Sequence, residues 1–208
     1  MNVFIKKSIF NMNTDYDFVL LDLDNSLMDE NVYLYSAFDQ IAKQSQDSQY
    51  RLDWIWNRFL TVGRYKLLTS YCNHFNLNNQ LSNYLDIMRN IKIDLHIFNK
   101  VEKFISQFNA KIYIVTNGNP IQQNNKIQNL KLTINYSTIF ASEYDKPKPS
   151  TNCVTDILKP EHKVLVVGDS IIDYQFSKKL NADFMQVKFS RNIDGFIEHE
   201  TVKLDYKN

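Results

Sequence analysis

The residues able to do chemistry begin with two carboxylates, Asp22 and Asp24, at the end of the apolar run Phe18-Val-Leu-Leu. In a strand, residues i and i+2 point to one face. The two acids therefore leave the strand on the same side and repel each other unless something positive lies between them. The C-terminal ends of parallel strands are where open α/β sheets bind ligands, and a hard dication taking oxygen ligands suits that place. Further carboxylates follow a second apolar run, in Val167-Gly-Asp-Ser-Ile-Ile-Asp173. Asp169 stands where it can ligate a metal. Asp173, one turn into the next helix, can ligate the metal or orient a metal-bound water; Ser170 or Asp169 also suits that helix's N-cap. Thr116 closes a third strand-like run. Its hydroxyl, with the amides of Asn117 and Gly118, can bind a phosphate oxygen, although these residue types also make ordinary turns. A lysine of Lys146-Pro-Lys-Pro149 can neutralise charge on a nucleophile and a phosphoryl group.

Positioning these groups requires strands that end together. Apolar, β-branched runs predict strands at 18–23, 111–115, 136–141, 164–167 and 184–187, the last in the chain. Between them lie helical patterns: Val101, Phe104, Ile105 and Phe108 with Asn99 as N-cap; Ile121, Ile127 and Leu130 after Pro120; Val154, Ile157 and Leu158; and a stretch ending near Leu180. Alternating strands and helices imply right-handed crossovers and a parallel, doubly wound α/β sheet. Each polar segment follows a predicted strand, so all can meet on one sheet edge. Residues 28–93 contain no buried-strand run. Their spacing is helical (Tyr33, Ala37, Ile41; Leu52, Ile55, Phe59, Leu67; Leu81, Leu85, Met88), with turns near 44–49 and 76–80. Gly63-Arg64 interrupts this insert, and Arg64 either marks a kink or reaches an anionic or hydroxylated part of a substrate. Trp54, Trp56, Tyr65 and Tyr71 are expected mostly in the insert's own core.

The balance of 24 Lys+Arg against 23 Asp+Glu gives no long-range attraction to nucleic acid or anionic lipid. With 44% hydrophobic residues the chain can form a full core and is not of disordered composition. After Lys6 and Lys7 no apolar stretch has the length of a signal peptide, and no run approaches a membrane span. Cys72 and Cys153 lie far apart and read as packing thiols of a cytoplasmic protein.

In chain order, Asp22-Leu-Asp-Asn-Ser-Leu27, Val115-Thr-Asn-Gly118, the Lys-Pro pair and Val167-Gly-Asp-Ser-Ile-Ile-Asp173 resemble the four motifs of the haloacid dehalogenase superfamily. Their spacing is similar to that of its phosphoglycolate-phosphatase-like group, which carries a helical cap between the first and second motifs. The resemblance covers residues 17–189 and departs at Asn25 and Ser26, which keep turn propensity and a hydroxyl. It implies a Rossmann-like core of residues 1–27 and 94–208 with a cap at 28–93.

The resemblance also implies phosphatase chemistry on a small phosphomonoester through an aspartyl-phosphate. Asp22 would be the nucleophile and Asp24 the general acid and base. Mg²⁺ would be held by Asp22, Asp169 and the backbone carbonyl of Asp24, with Asp173 assisting. Thr116, Asn117 and the lysine would hold the phosphoryl oxygens. Lys146 fits the family's Lys-Pro-x-Pro literally. Lys148 instead makes Ser150 an N-cap and sets Val154, Ile157 and Leu158 in the register the family shows, which favours Lys148. Asp24 argues against the superfamily's dehalogenases, which lack an aspartate there. Residues 28–38 resemble relatives from bacterial surface-polysaccharide pathways and favour a sugar or polyol phosphate. The alternatives are a nucleotide or phosphoglycolate phosphatase, a phosphosugar mutase, or an inactive partner-binding relative. Oligomeric state is not legible.

Overall fold

A computed structural model describes residues 15–207; the lead-in with Lys6 and Lys7 lies outside them. One sheet is built from Phe18–Leu21 (β1), Lys111–Thr116 (β2), Ser137–Phe140 (β3), Val164–Gly168 (β4), Asp183–Lys188 (β5) and Lys203–Lys207 (β6). The spatial order is β3-β2-β1-β4-β5-β6. The first five strands pair in parallel and β6 runs antiparallel to β5. All four residues of β1 are buried, as a parallel strand covered on both faces requires. Val19 and Leu21 pack on one side with Asn99–Ile105 (α5) and Pro120–Leu130 (α6), through Val101, Phe104, Ile127 and Leu130. Phe18 and Leu20 pack on the other with Cys153, Val154 and Phe176, the last from Ile171–Lys179 (α7). The sheet is therefore doubly wound.

Register brings the chemistry together. Leu21 is level with Ile114 of β2 and Val167 of β4, and the Asp22 amide donates to the Val167 carbonyl at 2.8 Å. Asp22, Thr116 and Asp169 thus emerge side by side at the C-terminal edge, the crevice end of such sheets.

Between β1 and α5 the chain forms four helices, Glu30–Ala42, Ser48–Val62, Leu67–His74 and Leu81–Asn90 (α1–α4). Asp29 caps α1 through its side chain, which accepts from the Asn31 amide. Gly63, at φ +78°, ends α2 where a side chain would be strained. These helices hold a core of their own around Phe38, Ile55, Trp56, Tyr71 and Tyr84; fully burying a Phe or Leu contributes roughly 1.5–3 kcal/mol. Cys72 and Cys153 are buried free thiols. Tyr65 is exposed rather than part of that core. The connection from β5 to β6 reaches these helices: Phe196 stacks on Trp56 at 5.4 Å, and Arg191 pairs with Asp29 and Asn25, each at 2.8 Å.

Several expectations need correction. The chain has a further strand after 184–187: Lys203-Leu-Asp-Tyr-Lys alternates polar and apolar residues, the pattern of a half-covered edge strand, and its lysines blunt the edge. The helix expected through Val154, Ile157 and Leu158 is a single 3-10 turn, Asn152–Val154. Thr, Asn, Cys, Val and Asp are poor helix formers, and Pro160 follows closely. Those three apolar residues still face the core; the cap position is Thr151, not Ser150, whose Oγ only accepts from the Asn152 amide at 3.3 Å. Phe98, not Asn99, is the N-cap of α5. On α6 Ile121 is exposed, and the buried stripe is Gln123, Lys126, Ile127 and Leu130. Among the described residues no helix is long and apolar enough to cross a membrane.

Candidate active site

Lys148 is the hub of the acidic cluster. Its ammonium donates to Asp22 Oδ1 and to Asp173 Oδ1, both at 2.7 Å, and is almost completely buried. Asn117 fixes the lysine's backbone from both sides, donating from Nδ2 to its carbonyl at 3.1 Å and accepting from its amide at 3.0 Å. The Asn117 side chain is therefore committed, leaving its amide as the group able to meet an anion. Lys146 is exposed on the surface. Burial works against charge on Lys148, but Asp22 and Asp173 outweigh it and raise its pKa.

Asp22, Asp169 and Asp173 each bring a carboxylate oxygen within 4.8 Å of the others. Ser26 Oγ lies 2.9 Å from Asp22 Oδ2 and 3.3 Å from Asp169 Oδ1 and can donate to either. Asp173 is tied down by a capping box with Ser170, whose Oγ donates to Asp173 Oδ2 at 2.5 Å. Gly168 makes room for this: a Cβ there would stand 2.5 Å from both Cβ and Cγ of Asp173. Burial pushes Asp22 up to about 7, and Asp173 and Asp169 add repulsion that Lys148 opposes. Asp169 is raised to about 6 by burial and then by Asp173. Three acids facing one buried lysine leave excess negative charge in an all-oxygen pocket. That donor set and charge fit a hard dication.

Asp24 belongs to a different group. Its Oδ1 accepts from Lys126 Nζ at 2.7 Å and its Oδ2 from Gln123 Nε2 at 2.8 Å. Asp22 and Asp24 thus each have a buried lysine of their own. Lys126 also donates to Glu30 Oε1 at 3.1 Å, and Glu30 Oε2 is paired with Arg64. Arg64 is therefore linked to Asp24 only through Glu30 and Lys126, with its guanidinium already bound to a carboxylate and most of its side chain exposed. Gln123 donates in addition to Thr116 Oγ1 at 2.7 Å, joining Asp24 to the end of β2. Burial and the nearby Glu30 raise Asp24, against Lys126 and Gln123. For Glu30 burial acts upward, but Lys126 and Arg64 together hold it below the usual carboxylate value.

Gln123, Lys126 and Glu30 were not singled out by motif or spacing. Their signal is nonetheless present: on an amphipathic α6, Gln123 and Lys126 occupy positions three apart on the buried stripe, where a polar residue must find partners.

By sequence, no curated protein matches the chain. Solved structures share its architecture. A candidate β-phosphoglucomutase from Thermotoga maritima has a TM-score of 0.60 at 18% identity, covering 85% of this chain and 87% of that one. The HAD-hydrolase YfnB from Bacillus subtilis, bound to magnesium, gives 0.57 at 16% identity over 86% and 90%. The L-2-haloacid dehalogenase of Xanthobacter autotrophicus, with chloropropionic acid covalently bound, gives 0.53 at 15% over 85% and 79%. At such identities the likeness establishes the fold alone. A sequence model of the haloacid dehalogenase-like hydrolases matches residues 19–187, most of the chain, with every acid described above inside the match. This chain belongs to the haloacid dehalogenase-like hydrolase family.

Proposed function

We propose that this protein is a Mg²⁺-dependent phosphatase that hydrolyses a small phosphomonoester through an aspartyl-phosphate. Asp22 attacks phosphorus, forming an O–P bond while the bond to the leaving oxygen breaks. Asp24 gives its proton to that oxygen, then takes one from the water that hydrolyses the aspartyl-phosphate, restoring both acids. Lys148, the Thr116 hydroxyl and the Asn117 and Gly118 amides hold the equatorial oxygens as charge spreads. Asp22, Asp169, Asp173 and the Asp24 carbonyl would hold Mg²⁺. When bound, the ion offsets the negative charge of nucleophile and phosphate.

The observation that carries this reading is the pair of acids at the end of β1, each bound at 2.7 Å to a buried lysine of its own. A carbon–halogen bond leaves as halide and needs no proton, so a second acid beside the nucleophile favours an alkoxide leaving group. Helices α1–α4 act as the cap, excluding water from the reaction. A cavity of about 290 Å³ among these helices, with Arg64, Lys66 and Gln122 in its lining, holds none of the catalytic acids, so the substrate class rests on the acids themselves and is that of a small phosphomonoester. Within that class we read the substrate as a sugar or polyol phosphate, without nucleic-acid or membrane partners. The test is turnover of 4-nitrophenyl phosphate with and without Mg²⁺ by wild type and Asp22→Asn. Mg²⁺-dependent release that disappears in the folded variant is expected; turnover retained by Asp22→Asn overturns the assignment.

A further inference from the structure

We propose that Lys126, together with Gln123, is a positioning residue that fixes the Asp24 carboxyl against the leaving oxygen. The proposal deepens the phosphatase reading and rests on it. A carboxyl hung on one rotatable side chain can turn its plane away from a proton acceptor, and misplacement by about 1 Å costs on the order of 10²-fold in rate. Here both oxygens of Asp24 are engaged from one helix: Lys126 holds Oδ1 at 2.7 Å and Gln123 holds Oδ2 at 2.8 Å. The two residues stand one turn apart on α6, so their spacing sets the plane of the carboxyl.

The holders are themselves held. Lys126 is 1% exposed. Its ammonium also reaches Glu30 at 3.1 Å and sits 5.1 Å from the centroid of the Tyr33 ring. The Tyr33 hydroxyl donates to the Met88 carbonyl at 2.8 Å. Gln123 is anchored by Thr116 Oγ1 at 2.7 Å. The Asp24 side chain nevertheless keeps 20% of its surface open, so it is oriented without being sealed off from substrate. A lysine serving stability alone gains little here: a buried ion pair is commonly no better than apolar packing of the same volume. Its place against the acid beside the nucleophile is the stronger reason for an ammonium at this point. The Glu30–Arg64 pair extends the same chain of contacts to α1 and to the connection after α2.

Protonation of the leaving group matters most when that group is a poor one, which gives the role its own signature. Turnover of 4-nitrophenyl, phenyl and 4-methoxyphenyl phosphate by wild type, Lys126→Met and Gln123→Leu, with Mg²⁺ present, reads it directly. If Asp24 is positioned by these residues, both variants lose more rate as the leaving phenol becomes less acidic. The gap between the nitrophenyl and methoxyphenyl esters then widens by about tenfold in Lys126→Met, a part of the 10²–10⁴ that intact general acid catalysis contributes, because Asp24 itself remains. Gln123→Leu leaves no buried charge unpaired, so it carries the test alone if Lys126→Met does not fold. An equal loss on all three esters overturns the positioning role while the phosphatase reading stands. Wild-type protein that hydrolyses none of them removes the phosphatase reading, and this proposal with it.

Discussion

Lys148 Nζ lies 2.7 Å from Asp22 Oδ1 although 126 residues of chain separate them. The second contact of the same ammonium, to Asp173, fixes the lysine between the first and last motifs. Losing a preorganised donor to a phosphoryl group typically costs about 10²–10³ in kcat. Lys148→Ala is expected to fall by that order on 4-nitrophenyl phosphate, whereas Lys146→Ala, at an exposed position, stays near wild type. Equal activity in the two variants would show that the lysine contact is incidental.

Gly168→Ala tests the packing behind that contact. The added methyl meets Asp173 Cβ and Cγ at 2.5 Å, atoms close to the backbone that cannot swing aside. Overpacking of this kind costs about 1–3 kcal/mol, and the displaced carboxylate loses its bond to Lys148. Urea unfolding should show the stability loss, and turnover should fall with it. Unchanged values in both measurements contradict the tight fit described for Asp173.

How much of this was legible beforehand varies from element to element, for physical reasons. The central strands and the acids after them could be read because fully buried parallel strands are apolar runs and because the polar residues end them. The facing of Val154, Ile157 and Leu158 was readable from periodicity, but their 3-10 turn was not, since a period near three fits both turn and helix over so few residues. The strand at Lys203–Lys207 was hidden because half of an edge strand is polar. Lys126 and Gln123 were hidden for the opposite reason. A polar residue on a buried stripe is intelligible only once its partners, here Asp24, Glu30 and Thr116, are known in space.

Glu30 supplies a pH prediction. Lys126 and Arg64 hold its carboxyl below the ordinary value of 4.5 despite burial, which acts the other way. A depressed folded pKa means the unfolded chain binds the proton more readily, so stability from this pair is complete above 4.5 and lost as pH falls through the folded value. Glu30→Gln removes that dependence. Urea midpoints measured from pH 6 downward should therefore fall less steeply in Glu30→Gln than in wild type below about pH 4.5. Parallel curves would mean that Glu30 titrates alike in both states.

Asp169 gives a prediction in which one substitution has opposite effects with and without metal. Carboxylate oxygens of Asp22, Asp169 and Asp173 lie within 4.8 Å of one another, against the single ammonium of Lys148. Like charges at such distances repel by on the order of 1–3 kcal/mol in a partly buried site. In chelator-treated protein, Asp169→Asn is expected to raise the melting temperature by relieving that repulsion. With Mg²⁺ at 100 times its dissociation constant, wild type gains about 2.7 kcal/mol from binding, and the variant, short of one charged ligand, gains much less. The ordering of the two proteins should therefore reverse on adding Mg²⁺, as followed by thermal melting at one pH. Identical Mg²⁺ responses would mean that Asp169 is not a ligand, and a lower melting temperature of the variant in chelator would mean that the three acids do not strain the fold.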